Sequence, residues 1–157
     1  MFQKKTAPLP PGKYRMGGTH FKNDKAFIRT AVRDVRRLVE YCDLNAESSL
    51  LDWGSGAGRL AVGVRQEFGR IRDYHGVDIQ PELIEWADVN LAGEGFRFTC
   101  LDVSNERYNP DGSPERTLAA EPGSVDAFYA YSVFSHMNDD DTPAYLRLIG
   151  EALAQAG

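Results

Sequence analysis

Three aspartates and a cluster of glycines are the residues best placed to do chemistry. Asp52 leads into Trp53-Gly54-Ser55-Gly56-Ala57-Gly58, Asp78 closes Gly76-Val77-Asp78, and Asp102 follows Thr99-Cys100-Leu101. Each carboxylate ends a short apolar run, the position at which a strand releases its last side chain toward a ligand. Glycine has no Cβ, so the turn after Asp52 can take positive φ and bring backbone against a bound molecule. Asp78 lies about 20 residues beyond the glycines, the spacing at which a carboxylate accepts both hydroxyls of a ribose. A dinucleotide site wants G-x-G-x-x-G, but the sixth position counted from Gly54 is Arg59, so the motif is G-x-G-x-G. A carboxylate at position 52 would also repel a pyrophosphate, which points to a ligand bearing an amine.

The elements that must hold these groups follow from periodicity and turn chemistry. Residues 49–53 form a short apolar run, and residues 57–68 set Leu60, Val64 and Phe68 on one helical face. The unit repeats as a strand over 74–78, a helix over 81–91 opened by Pro81, and a strand over 96–101. Residues 104–123 carry three prolines and two glycines and predict a long connection with room for a short helix. A fourth strand follows over 125–131. Thr142 and Pro143 then open a last helix with Leu146, Ile149 and Leu153 as its buried stripe. Alternating strands and helices imply an α/β fold built on a parallel sheet. Ahead of them, residues 1–22, with Pro8, Pro10, Pro11 and Gly17-Gly18, predict an extended arm. Residues 23–157 form the domain, opened by an amphipathic helix that Asn23 or Asp24 caps.

The run from Asp52 to Gly58, joined by Asp78 and Asp102, resembles motif I and the following strand ends of class I S-adenosylmethionine-dependent methyltransferases of the small-molecule type. The stretch Tyr131-Ser132-Val133-Phe134-Ser135-His136-Met137 is similar to the segment these enzymes carry after their fourth strand. The resemblance implies a Rossmann-like fold with strand order 3-2-1-4 and S-adenosylmethionine as cofactor. On it, Asp52 meets the methionine ammonium while Trp53, Gly54, Ser55, Gly56 and Gly58 surround the amino-acid and ribose portions. Asp78 takes the ribose hydroxyls, Ile79 lies against adenine, Asp102 and the Val103 N–H read the adenine edge, and Tyr131 faces the methyl. Tyr14, Arg15 and Gly17-Gly18 resemble a segment that folds over the cofactor. The resemblance covers residues 23–157 and implies that strands 5 to 7 of the family fold are lacking. Self-association through the strand 4 edge is one consequence.

Methyl transfer from a sulfonium needs alignment more than acid–base help, and no metal. A hydroxyl acceptor adds a proton to remove, and His136 is the candidate base, against a structural role for its ring. The expected acceptor is a small molecule, with a sugar or natural-product hydroxyl as one choice. A cofactor-binding module without turnover and an NAD-dependent oxidoreductase are the alternatives.

The net charge of -5 is unevenly spread: residues 1–37 hold ten Lys or Arg against Asp24 and Asp34, and the remainder is strongly acidic. A basic leading segment can attract an anionic substrate, RNA included, although the acidic remainder disfavours nucleic acid. No stretch approaches the roughly 20 apolar residues of a membrane span, so a cytoplasmic location is the default. Cys42 and Cys100 have no metal-ligand spacing and are expected to be buried free thiols, while His20 and His75 are expected to be structural.

Overall fold

The computed structural model describes residues 7–154. Helix α1 (Asp24–Cys42) is followed by β1 (Ser49–Trp53), α2 (Arg59–Phe68), β2 (Asp73–Asp78), α3 (Pro81–Leu91), β3 (Phe96–Cys100), β4 (Ala127–Ala130) and α4 (Asp141–Ala152). The four strands are parallel in the order β3-β2-β1-β4, so the direction of strand addition reverses beside β1. Ligands of open α/β sheets bind at that reversal, beyond the carboxyl ends of the strands.

Both faces of β1 are buried because each meets its own core. Leu50 packs with Phe27, Val35, Leu60, Val64, Ile84 and Leu91 from α1, α2 and α3. Leu51 and Trp53 point the other way, to Val77, Tyr145 and Ile149. Alternate side chains along one strand therefore fasten two helical layers. Where α1 crosses α2, a Cβ on Gly63 would lie 2.6 Å from the Ala31 carbonyl oxygen, so only glycine permits this approach.

Local sequence sets the helix ends. Asn23 caps α1 by accepting the Ala26 N–H at 3.0 Å, and Pro81 starts α3 in the first turn, where its missing N–H costs nothing.

Several expectations are corrected. The leading segment is not an extended arm over residues 7–22: it makes two 3-10 turns, Gly12–Tyr14 and Thr19–Lys22, and buries Phe21. Arg15 holds it in place, donating to the carbonyls of Pro10, Phe21 and Lys22 and pairing with Asp24 at 2.6 Å. Residues 1–6 of the expected arm and 155–157 of the expected domain lie outside the described residues. The connection over 104–123 contains no helix; reciprocal Asn105 and Asn109 backbone bonds of 2.9 Å and buried Leu118 fold it instead. Helix α4 begins at Asp141, ahead of the expected Thr142 cap. It buries Tyr145, Ile149 and Ala152 while Leu146 is exposed, because Tyr145 stacks on Trp53 with ring centroids 4.6 Å apart. Strand β4 is shorter than expected. Ahead of it, Val125 makes a parallel bridge to Leu153, so that part of the expected open edge is paired.

Cys42 and Cys100 are both exposed rather than buried. The first is the last residue of α1 and the second ends the outermost strand, β3. His75 is buried, its Nε2 2.8 Å from the Thr99 hydroxyl, and burial followed by the nearby Arg97 charge pushes its pKa down to about 4. It is a neutral structural histidine.

Candidate active site

A cleft of about 390 Å³ opens above the carboxyl ends of β1, β2 and β4. Its floor is the turn that joins β1 to α2. The Gly54 and Ser55 N–H groups donate to the Val77 carbonyl at 2.8 and 2.9 Å, and the Gly56 N–H donates to the Asp78 carboxylate at 2.8 Å. The other Asp78 oxygen accepts the Gln80 N–H at 3.0 Å. Asp78 is thus a fastener of the glycine turn as well as a cleft residue, which its spacing alone does not reveal. Gly54 has φ +78°, and any Cβ there would strike Val133 from the opposite wall. Gly58, expected on the ligand, is not a lining residue. It caps α2 at φ +83°, and a Cβ there would lie 2.5 Å from Leu91.

Asp52 is fully buried below this turn and accepts a short hydrogen bond from the Tyr74 hydroxyl on β2. Burial raises its pKa to about 7 against the pull of that bond and of the Arg59 charge, with Asp78 adding to the rise. Burial also raises Asp78, although backbone N–H donors oppose it. The floor accordingly holds two carboxylates whose ionised forms would be better satisfied by a cationic or hydroxyl-bearing ligand.

Arg59 stands at the motif position where a dinucleotide site would have glycine, and in the structure it is a central cleft residue. One guanidinium nitrogen donates to the Tyr129 hydroxyl at 2.8 Å and the other lies 2.9 Å from Asp34, which also accepts the Tyr129 hydroxyl at 2.8 Å. Burial pushes the Asp34 pKa up, but the Tyr129 and Arg59 contacts outweigh it and hold the carboxylate low. The planar group lies over the rings of Tyr131 (4.8 Å) and Phe21 (5.2 Å). An Asp on α1, an Arg on α2 and a Tyr on β4 are distant in sequence, and no local pattern announces that they meet.

The remaining wall combines three segments. Pro10, Tyr14, Arg15, Met16 and Gly17 come from the leading segment. Trp53, Ile79, Leu101 and Val103 are the apolar strand-end residues. Tyr131, Ser132, Val133, His136 and Met137 follow β4, where Ser132 adopts φ +59°, unusual for a residue with a Cβ. The expected residues Asp52, Trp53, Gly54, Ser55, Gly56, Asp78, Ile79, Val103, Tyr131 and His136 are therefore brought together. Asp102 is not: it is exposed, does not line the cleft, and accepts a hydrogen bond from Asn109 at 3.1 Å. Strand β3 stops at Cys100, and the turn that follows carries Asp102 into the long connection. Among the described residues no group of His, Cys, Asp or Glu could hold a metal, and no helix is long and apolar enough to cross a membrane.

A family profile described as a methyltransferase domain matches residues 50–157. Solved structures similar to this chain include a Methanococcus maripaludis protein described as an S-adenosylmethionine-dependent methyltransferase. It shows 15% identity and a TM-score of 0.62, over 85% of this chain and 55% of that one. Coclaurine N-methyltransferase bound to N-methylheliamine and S-adenosylhomocysteine gives 21% identity and a TM-score of 0.60, over 88% and 37%. The [4+2]-cyclase SpnF gives 21% identity and a TM-score of 0.59, over 82% and 43%. The chain thus spans roughly half or less of the length of these proteins. The likenesses show the Rossmann-like fold; that one of these proteins is a cyclase illustrates that fold alone does not fix the reaction.

Proposed function

The chain belongs to the methyltransferase domain family, and from that premise we propose that its cleft binds S-adenosylmethionine and serves methyl transfer to a small-molecule acceptor. The observation that carries this reading is that buried Asp52 and Asp78, at the ends of the neighbouring strands β1 and β2, both line the cleft beside the glycine turn. A dinucleotide would bring a pyrophosphate to that turn, beside buried carboxylates; the nicotinamide alternative is set aside on that ground and by the family match.

The residues fit the proposed cofactor. Asp52 would hold the ammonium, and Arg59, which also lines the cleft, matches the carboxylate of the same amino-acid portion. Asp78 spends one lone pair per oxygen on Gly56 and Gln80, which leaves acceptor capacity for two ribose hydroxyls. Ile79, Leu101 and Val103 supply an apolar slot for a flat base, without the aid of Asp102. When bound, the cofactor's sulfonium supplies an activated methyl group. The protein's part is to align the acceptor, and Tyr131, Ser132 and Val133 line the wall beside it. A hydroxyl of a sugar or natural product is the acceptor this reading favours.

Incubating the protein with S-adenosylmethionine and a metabolite extract tests the reading. Formation of S-adenosylhomocysteine together with extract components heavier by one methylene supports it. Cofactor binding with no methylated product would instead support a binding module.

A further inference from the structure

Among the described residues three arginines line the cleft, and two are neutralised by carboxylates: Arg15 pairs with Asp24 and Arg59 with Asp34. Arg107 is different. Among the described residues it makes no ion pair, and it is held where two loops meet. Its backbone N–H and that of Tyr108 donate to the Asn105 side-chain oxygen at 3.1 Å, while the Asn105 amide donates to the His136 carbonyl at 3.0 Å. Its guanidinium lies over the Tyr108 ring at 5.1 Å and donates to His136 Nδ1 at 3.4 Å.

The contact has a chemical consequence. Arginine is only a donor, so Nδ1 of a neutral His136 must present its lone pair to Arg107, and the ring proton sits on Nε2. A base needs a free lone pair, and here that lone pair is engaged. The expectation that His136 removes a proton is accordingly replaced by one in which its Nε2–H is a donor beside an unneutralised guanidinium. Adjacent N–H donors, with no carboxylate in ion-pair contact with Arg107 among the described residues, suit an oxyanion.

We propose that Arg107 and His136 form an oxyanion-recognising edge of the cleft, and that the methyl acceptor carries a carboxylate or phosphate group which this edge holds. The proposal rests on the methyltransferase reading for the word acceptor; the anion site itself does not. Arg107 and His136 are then specificity residues, and the acceptor's proton leaves to solvent.

Ring nitrogen NMR of His136 tests this, with the protein saturated with S-adenosylhomocysteine. Inorganic phosphate and acetate are titrated separately at constant ionic strength, with glycerol as a neutral control. The expected result is a protonated Nε2 and unprotonated Nδ1 before any anion is added, and a saturable His136 shift with at least one anion and none with glycerol. The shift that separates phosphate from acetate names the acceptor's group. Arg107→Gln should weaken that anion about tenfold or more and restore a mixture of tautomers, while Arg107→Lys should retain part of the affinity. The affinity for S-adenosylhomocysteine should be the same in all three proteins. Absence of any anion-dependent shift, or equal anion affinity in Arg107→Gln, overturns the proposal. A loss of S-adenosylhomocysteine affinity in Arg107→Gln also overturns it, by assigning Arg107 to the cofactor. Should S-adenosylhomocysteine fail to bind the unsubstituted protein, the methyltransferase reading falls. The tautomer and anion titrations, repeated without it, then decide the edge by the same criteria.

Discussion

The floor of the cleft and its outer wall are built by different means. The floor, residues 52–59 and 74–80, is fixed by strand register, by turn glycines and by backbone N–H groups that Asp78 ties down. The outer wall, residues 101–109 and 131–137, hangs from side-chain amides in irregular segments, with Asn105 and Asn109 doing most of the joining. The proposed cofactor side is thus held by backbone bonds and the proposed acceptor side by side chains. Substitutions in the two regions should differ accordingly.

The largest effect should come from Asp78→Ala. It removes the proposed ribose acceptor and releases two N–H groups of the floor at once. With about 1.5–3 kcal/mol for each hydrogen bond to a charged group, S-adenosylhomocysteine affinity should drop by about a hundredfold or more in calorimetry. Gly54→Ala comes next: positive φ costs about 1–2 kcal/mol, and Val133 must move away. An affinity loss of about tenfold is expected, with a lowered Tm.

A pH titration probes the floor in a graded way. Because Asp52 is raised to about 7, the folded protein holds more protons than the unfolded chain between the ordinary aspartate pKa and about 7. Stability from this group is therefore greatest at low pH and is lost as pH rises through that window. An ammonium-bearing ligand favours the ionised form, so ligand affinity should move the opposite way. It should fall by up to about tenfold per pH unit below 7 and level off above it. Asp52→Asn should abolish that slope.

Tyr129→Phe tests the link between helices and cleft. Removing the hydroxyl that joins Arg59 to Asp34 should cost about 1–2 kcal/mol and lower Tm by about 2–8 °C, with a smaller change in ligand affinity. The smallest effect is expected for Asp102→Ala, which lies on the outer region and off the cleft. S-adenosylhomocysteine affinity should change by less than about twofold. A loss as large as that of Asp78→Ala would erase the distinction between floor and wall.

The same division separates what the sequence made readable from what it did not. Strands β1, β2 and β3 and helix α3 were legible because short apolar runs, turn glycines and Pro81 mark their ends. The placement of Asp52, Asp78 and Ile79 along the cleft was legible because strand ends are fixed points. Asp102 was misplaced because one turn after Cys100 suffices to rotate a side chain off the cleft, and periodicity is silent there. The Arg59–Tyr129–Asp34 cluster and the Arg107–His136 contact depend on tertiary packing between segments up to 95 residues apart. The oddity of an arginine at the sixth motif position was a usable signal for the first. Unpaired Arg107 left none.

The most direct test of the central claim is calorimetry of the chain with S-adenosylhomocysteine and, in a parallel cell, NAD. Saturable heat with S-adenosylhomocysteine, lost in Asp78→Ala, and none with NAD are expected. Heat with NAD at micromolar concentration and none with S-adenosylhomocysteine would contradict the claim.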